Sequence, residues 1–247
     1  MEPIEWIALT SIVAIAGMVR GCIGFGFSSL VVASATLFMS PLSIVPMLAL
    51  LEIAASIHMA FSTWRDAALR PLGFMLLGAL VATPMGIYVL VILPAEDVSL
   101  IVAGLILVLS LLLLSGWQYR GKSGAMTYTG LGIVSGVCNG AAAVGGLPVA
   151  AFLTASNLSM RALRATLVLF FFGTDVILLF SASGHGLFTE QLLVQSGAML
   201  LPMVVGIHFG GVMFNRIPER RLRTGVIYLL LLLSIIGISR SLIMSVG

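Results

Sequence analysis

The sequence predicts an all-α integral membrane protein in which one transmembrane domain, residues 1–247, is built from two inverted repeats. Three observations predict this class: the composition, the order of the apolar stretches and the distribution of the charged residues. Of the 247 residues, 60% are hydrophobic and 9% are charged, whereas about a quarter of the residues of a soluble domain are charged. Most of the surface must therefore face lipid. This excludes a soluble enzyme, a nucleic-acid-binding protein and a disulfide-linked scaffold.

Apolar stretches of membrane-spanning length follow one another along the whole chain. A helical span needs about 20 residues, and the polar–apolar alternation of β-barrel strands is absent. Two of the stretches, the first and the fifth, are long enough for two short helices each. The stretches cover residues 4–39, 43–63, 71–93, 98–117, 127–156, 162–182, 189–214 and 222–245.

Glycines interrupt the two longest stretches. The first interruption is Gly21–Gly26, and the second runs over Gly136–Gly140 and continues at Gly145–Pro148. A helix broken inside a membrane leaves N–H groups at a positive dipole end, where an anion can bind. We therefore expect two Gly-broken, re-entrant-like hairpins. The alternative is that these glycines only allow close helix packing, as we expect for Gly206 and Gly210.

The basic residues collect on one side of the membrane only if each interrupted stretch enters and leaves on the same side. If each stretch crossed once, the basic residues would divide four against six and indicate no orientation. With hairpins, the positive-inside rule makes the shared basic side cytoplasmic. The basic side holds Arg65, Arg70, Arg120, Lys122, Arg161, Arg164, Arg216, Arg220, Arg221 and Arg223. The opposite side holds Glu2, Glu5, Glu96, Asp97, Glu190 and a single basic residue, Arg240.

An internal repeat agrees with this topology. A shift of 124 residues lays Gly86 on Gly210 and Pro94 on Pro218, and near the interruptions a shift of about 115 lays Gly17-x-x-x-Gly21 on Gly132-x-x-x-Gly136. The loop at Pro94 is acidic and its counterpart at Pro218 is basic, so matching loops lie on opposite sides.

Each repeat is therefore expected to be one broken hairpin followed by three transmembrane helices. The repeats cover residues 1–117 and 127–247, and residues 118–126 form a cytoplasmic connecting loop. Inverted repeats with interrupted helices at corresponding positions are typical of secondary transporters.

The residues at the two interruptions resemble the sulfite exporter TauE/SafE family. The first motif is Gly17–Gly26, and the second is Asn139-Gly140 followed by Val144–Val149, in which Leu147 replaces one proline of the family's Gly-Gly-Pro-Pro-like run. The resemblance implies a multi-pass transporter of the bacterial inner membrane. Its expected substrates are sulfite, organosulfonates or other small sulfur-containing anions, moved by alternating access with or without proton coupling.

The expected anion site lies where the two interruptions meet. Arg20 precedes the first interruption, and its guanidinium can pair with two oxygens of a sulfite or sulfonate. An ion pair between Arg20 and Glu52 is the alternative. The remaining donors are expected from the side chains of Ser28, Ser29 and Asn139 and from the backbone of Gly24, Phe25, Gly26, Gly140, Gly145 and Gly146.

Four ionisable residues inside apolar spans are candidates for carrying a coupled proton: Glu52, Asp175, His58 and His208. Charged groups are costly inside a membrane, and the charge of histidine switches near neutral pH. Fixed ion pairs, of Asp175 with Arg161 or Arg164 for example, and simple helix packing of His208 are the alternatives. The histidine spacing indicates no metal site, and no cofactor is expected.

Two other function classes fit part of the sequence. Cys22 and Cys138 are expected at matching positions of the two halves, beside the interruptions, as the cysteine pair of a transmembrane thiol–disulfide electron carrier would be. A pore lined with N–H donors could also be an anion channel. An enzyme is not expected, because the chain contains neither Gly-x-Ser-x-Gly nor His-Glu-x-x-His.

Overall fold

The fold is helical throughout the part of the chain that the computed structural model describes, which is residues 2–116, 123–154, 158–214 and 219–246. These ranges contain ten α-helices and no β-strand. Seven of the helices are long and apolar enough to cross a membrane. The predicted all-α membrane protein is thereby confirmed.

The helices follow the same order in the two halves of the chain: one long helix, one short helix of nine residues, then three long helices. A 3₁₀ turn at Trp64–Asp66 separates the third and fourth helices. The first half contains α1 (Pro3–Ile23), α2 (Phe27–Ala35), α3 (Pro41–Thr63), α4 (Leu69–Ile92) and α5 (Ala95–Leu114). The second half contains α6 (Ala125–Ala142), α7 (Gly146–Thr154), α8 (Met160–Ser183), α9 (Glu190–Phe214) and α10 (Glu219–Val246).

The chain reverses direction between α1 and α2 and between α6 and α7. Gly24 and Gly26 have φ values of 84° and 90°, and Ala143 has a φ of 53°, all in the left-handed region. The Gly24 N–H donates to the Arg20 carbonyl and closes α1. Glycine adopts positive φ without steric cost, which explains the placement of the first break.

The second break lies between the two glycine clusters of its predicted interruption, and only the later cluster is part of it. Residues Gly136–Gly140 are interior residues of α6, and the chain turns only at Ala143–Gly145. The expectation of two short helices in each interrupted stretch is also wrong, because α1 has 21 residues and α6 has 18. Glycine both breaks helices and lets them approach each other, and the sequence pattern does not separate the two roles.

Each long–short pair begins and ends on the same side of the helix bundle. Glu5, near the start of α1, lines a cavity with Phe38, which lies in the connection from α2 to α3, and with Ser43 in the first turn of α3. In the second pair, the rings of Tyr128 at the start of α6 and Phe152 in α7 lie 6.0 Å apart in an edge-to-face contact. Both pairs are therefore hairpins.

The charged loops fall partly outside the described residues. Arg120, Lys122, Arg216 and Pro218 lie outside them, as does most of the expected connecting loop 118–126. The backbone of Arg220, Arg221 and Arg223 belongs to α10. On the expected outer side, Glu96 and Arg240 line one cavity together.

The first helix of each half packs along the fourth helix of the other half. Gly17 and Gly21 of α1 lie against Met203–Gly211 of α9, and Gly132–Gly140 of α6 lie against Met75–Ile87 of α4. In both pairs the helices run in the same direction, with backbone atoms in direct contact. Lipid tails are as apolar as leucine, so contact between small residues is what holds such helices together. Further interfaces join α5 with α10, α3 with α8 and α4 with α8.

Replacing Gly140 by alanine is expected to destabilise the protein. A Cβ at this position would collide with the Thr83 carbonyl oxygen of α4, which cannot move independently of its helix. The expected loss is about 1–3 kcal/mol, typical of an overpacked interface, measured as a lower midpoint temperature of unfolding in detergent. Gly130→Ala in the same helix is the control, since a Cβ there meets no atom within 4 Å. An unchanged midpoint for Gly140→Ala would contradict the close packing of α4 on α6.

Candidate functional site

The centre of the molecule contains a buried ion pair between Arg20 of α1 and Glu52 of α3. The Arg20 side chain is 0% exposed and that of Glu52 is 5% exposed. The ion pair expected from sequence as an alternative for Arg20 is therefore present. An arginine inside a membrane protein is costly unless it is paired, so Glu52 accounts for the burial of Arg20 in this state of the protein.

Three further side chains surround the pair. Ser28 of α2 donates to the Glu52 carboxylate, and Arg20 donates to the Ser56 hydroxyl at 3.0 Å. The Arg20 guanidinium also lies over the ring of Phe171 of α8, 5.2 Å from its centroid. Both halves of the chain thus contribute to the surroundings of Arg20.

Asp175 of α8 is a second carboxylate, and it lies close enough to Glu52 and Arg20 for their charges to act on it. The Asn139 amide of α6 donates to Asp175 at 3.0 Å, and both side chains are buried. The described hydrogen-bond partner of Asp175 is therefore Asn139. Arg161, one of the two arginines considered as an ion-pair partner for Asp175, is an exposed residue near the start of α8. We call Arg20, Glu52, Ser28, Ser56, Phe171, Asn139 and Asp175 the central cluster.

The N-termini of both short helices face the central cluster. Ser28, the second residue of α2, donates to Glu52. At the start of α7, a Cβ on Gly146 would collide with the Phe171 ring, which itself covers Arg20. Glycine at position 146 thus allows α7 to approach Phe171. The first N–H groups of a helix have no partner within it, so two positive helix ends lie around the ion pair.

Most of the remaining residues predicted for the site lie at one of the two breaks. The first break and the first turn of α2 contain Gly24, Phe25, Gly26 and Ser29. Gly145 lies at the second break, and its carbonyl accepts a hydrogen bond of 2.5 Å from Ser135. Gly140 is different, because its missing Cβ serves the contact with α4.

The two intramembrane histidines do not belong to the central cluster. His58 of α3 and His208 of α9 line a separate pocket together with Arg164 of α8. His208 follows Gly206 and precedes Gly210, both of which pack on α1, but its own side chain is exposed. His185 is exposed between α8 and α9, with Nδ1 2.9 Å from the Ser181 carbonyl oxygen.

The two cysteines are free thiols, and both are buried. Cys22 donates to the Gly210 carbonyl at 3.1 Å, so its sulfur takes part in the contact of α1 with α9. Counted back from the last residues of α1 and α6, Cys22 is the second residue and Cys138 is the fifth. The two cysteines therefore do not occupy matching positions, and the geometric reason for an electron carrier is lost.

Sequence reasoning missed Ser56 and Phe171. Ser56 stands four residues after Glu52, and Phe171 stands four residues before Asp175. Residues four apart share one face of a helix, so this spacing could have identified both once Glu52 and Asp175 were singled out. The contact of α3 with α8, which brings the two faces together, is not readable from spacing.

The central cluster can bind an anion only if its charges change. With all groups ionised, Glu52 and Asp175 outweigh Arg20 by one negative charge. An incoming oxyanion would compete with Glu52 for the same guanidinium, and like charges in a poorly screened interior repel strongly. Neutralisation of one carboxyl group by a proton would remove the excess negative charge and weaken this repulsion.

Comparison with known protein families identifies a family that matches the chain. The profile of the family described as Sulfite exporter TauE/SafE matches residues 9–236, which is nearly the whole chain. No curated protein and no solved structure matches the chain.

Proposed function

The chain belongs to the sulfite exporter TauE/SafE family of membrane transporters, and on this basis we propose that it is a secondary transporter of small sulfur-containing anions in the bacterial inner membrane. Sulfite and organosulfonates are the proposed substrates. The observation that supports this proposal best is Arg20 of α1, a fully buried arginine beside the first break whose guanidinium is paired with Glu52.

The proposed architecture is an inverted repeat whose halves correspond at an offset of 119 residues around the breaks. With this offset Ile23 matches Ala142 at the ends of α1 and α6, and Phe27 matches Gly146 at the starts of the short helices. Arg20 then matches Asn139. The bond from Arg20 to Ser56 corresponds to the bond from Asn139 to Asp175, because each pair is separated by 36 residues.

The proposed binding event is an exchange of partners at Arg20. A proton taken up by Glu52 removes its charge and releases the guanidinium, which then pairs with two oxygens of the anion. Ser28, Asn139 and the N–H groups at the starts of α2 and α7 supply further donors. Arg20 thus binds either Glu52 or the anion, and the anion and the proton move in the same direction.

Alternating access would follow from rocking of the helices around the two hairpins. The cluster is buried in the present arrangement, so loading requires an opening toward each side in turn. The packing of α1 on α9 and of α6 on α4 ties each hairpin to a long helix of the other half. These two units are the proposed rigid bodies, because their backbones touch at glycines.

The proposed orientation gives a labelling prediction. A single cysteine at Glu96 is expected to react with a membrane-impermeant maleimide in intact cells, while one at Arg221 reacts only after the cells are opened, both in a Cys22→Ala/Cys138→Ala background. Glu96 lies at the start of α5 and Arg221 at the start of α10. Labelling of both positions in intact cells would contradict the orientation.

Counterflow in proteoliposomes tests the function. A carrier preloaded with unlabelled sulfite is expected to accelerate uptake of radioactive sulfite, and uptake should saturate and be competed by sulfonates. An anion channel would instead give a current that rises with voltage and shows no acceleration by internal substrate. Cys22→Ala/Cys138→Ala should transport like the wild type, and loss of activity in that variant would favour the electron carrier.

A further inference from the structure

A pocket of about 430 Å³ lies beside the central cluster, among α1, α3, α8 and α9. It is close to the expected cytoplasmic side, because Arg164 stands three residues after Arg161, and His58 stands in the last two turns of α3. We call this cavity the inner pocket. Its described lining residues are Gly21, His58, Met59, Arg164, Ile207, His208, Gly211 and Val212.

Arg164 reaches the inner pocket from α8 across the first break. Its guanidinium donates to the Gly21 carbonyl at 3.3 Å. A Cβ built on Gly24 would lie 3.0 Å from Cγ of Arg164, so the arginine stem occupies the space that glycine leaves open. The guanidinium therefore stands at the C-terminal end of α1, on the wall of the inner pocket.

His58 and His208 add donors from two other helices. Both lie within apolar spans, and both side chains are exposed in the isolated chain. An imidazole facing hydrocarbon is costly, and polar side chains in spans usually face a bundle interior or a wet cavity. The shared pocket with Arg164 is such a cavity. Among its described lining residues none carries a carboxylate.

We propose that the inner pocket is an oxyanion-binding site separate from the central cluster. Three donors of the required kind converge on it from α8, α3 and α9: a guanidinium and two imidazoles. An oxyanion presents several acceptors in different directions, which this arrangement matches. The ligand is either the transported sulfur anion or the phosphate of an anionic lipid, since basic pockets between helices on the cytoplasmic side also bind lipid headgroups.

The position of the inner pocket gives it a role in loading the transporter. Gly21, which lines it, directly follows Arg20, and His58 stands two residues after Ser56. A sulfur anion bound there would be held next to the ion pair before Glu52 is neutralised. This role, but not the site itself, rests on the proposed function.

Equilibrium binding of radioactive sulfite to the purified full-length protein in phosphatidylcholine nanodiscs tests the site. We expect two sites per chain. His58→Phe/His208→Phe should weaken one site by about tenfold or more, because it removes both imidazole donors; tenfold corresponds to about 1.4 kcal/mol. Arg20→Gln/Glu52→Gln should abolish the other site. His185→Phe is the matched control and should bind like the wild type.

The outcomes separate the two proposals. A single site that is lost in Arg20→Gln/Glu52→Gln and unchanged in His58→Phe/His208→Phe leaves the proposed function intact. It also shows that the inner pocket does not bind sulfite, so that the headgroup of an anionic lipid is the ligand left to test. Nanodiscs containing phosphatidylglycerol then decide between the outcomes. Lipid phosphorus that stays bound to the wild type and is lost from His58→Phe/His208→Phe supports the site. Absence of bound lipid phosphorus from the wild type overturns the site. A histidine-dependent site alone would support the inner pocket and contradict binding at Arg20.

Discussion

Replacement of Arg20 by glutamine is expected to abolish sulfite uptake in proteoliposomes. The substitution removes the only buried guanidinium of the central cluster, so an anion would face Glu52 and Asp175 without a compensating positive charge. It also leaves both carboxylates buried without their cationic neighbour, and breaking a buried pair in this way costs about 3–5 kcal/mol of stability. A loss of activity could then come from unfolding, so the single variant needs a partner.

The double variant Arg20→Gln/Glu52→Gln separates binding from stability. It removes both charges of the ion pair and keeps side chains of similar size, so we expect it to remain folded, with an unfolding midpoint closer to the wild type than that of Arg20→Gln. It should still show no uptake. Arg70→Gln, at the exposed start of α4, is the control for loss of a positive charge. Sulfite uptake at the wild-type rate by the folded double variant would show that Arg20 does not hold the anion.

Glu52→Gln is expected to uncouple anion movement from protons while retaining exchange. Glutamine cannot ionise, so Arg20 is permanently released from its carboxylate partner and is free for the anion. Counterflow of sulfite should therefore continue, whereas acceleration of uptake by a pH gradient should fall by about tenfold or more, to the level without a gradient, which corresponds to about 1.4 kcal/mol of lost coupling.

Asp175→Asn is the control for this second prediction. Asp175 is held by Asn139 and belongs to the same cluster, but it does not pair with Arg20 directly. Asp175→Asn should keep the response of uptake to the pH gradient. If Asp175→Asn loses that response and Glu52→Gln keeps it, then Asp175 carries the proton and the exchange at Arg20 is wrong.

The membrane-spanning architecture could be predicted because it depends on quantities that are local in sequence. Length and apolarity of each stretch set whether a helix can cross a bilayer, and the hairpins followed from the side on which charged loops must lie. The structure keeps these features: the long–short pairs are hairpins, and seven described helices are of membrane-crossing type. Only the first part of the predicted second interruption is wrong: Gly136 and Gly140 pack on α4 instead of breaking the helix, and a missing Cβ looks the same in either role.

The candidate site could be predicted only in part. The sequence identifies five polar residues of the site because polar residues inside apolar spans are costly. These residues are Arg20, Glu52, Ser28, Asn139 and Asp175. Which of them meet depends on the crossing of α1, α3 and α8, which involves residues far apart in sequence. The same reason explains why the sequence does not show that Arg164, His58 and His208 line one pocket.

Uptake of radioactive sulfite into proteoliposomes, with and without an imposed pH gradient, tests the central proposal most directly. If an anion and a proton are bound together at Arg20 and Glu52, uptake by the wild type saturates and is faster when the outside is the more acidic side. Saturable uptake at the same rate with and without the gradient would contradict the exchange of Glu52 for the anion at Arg20. Absence of any saturable sulfite uptake would contradict the transport of this anion itself.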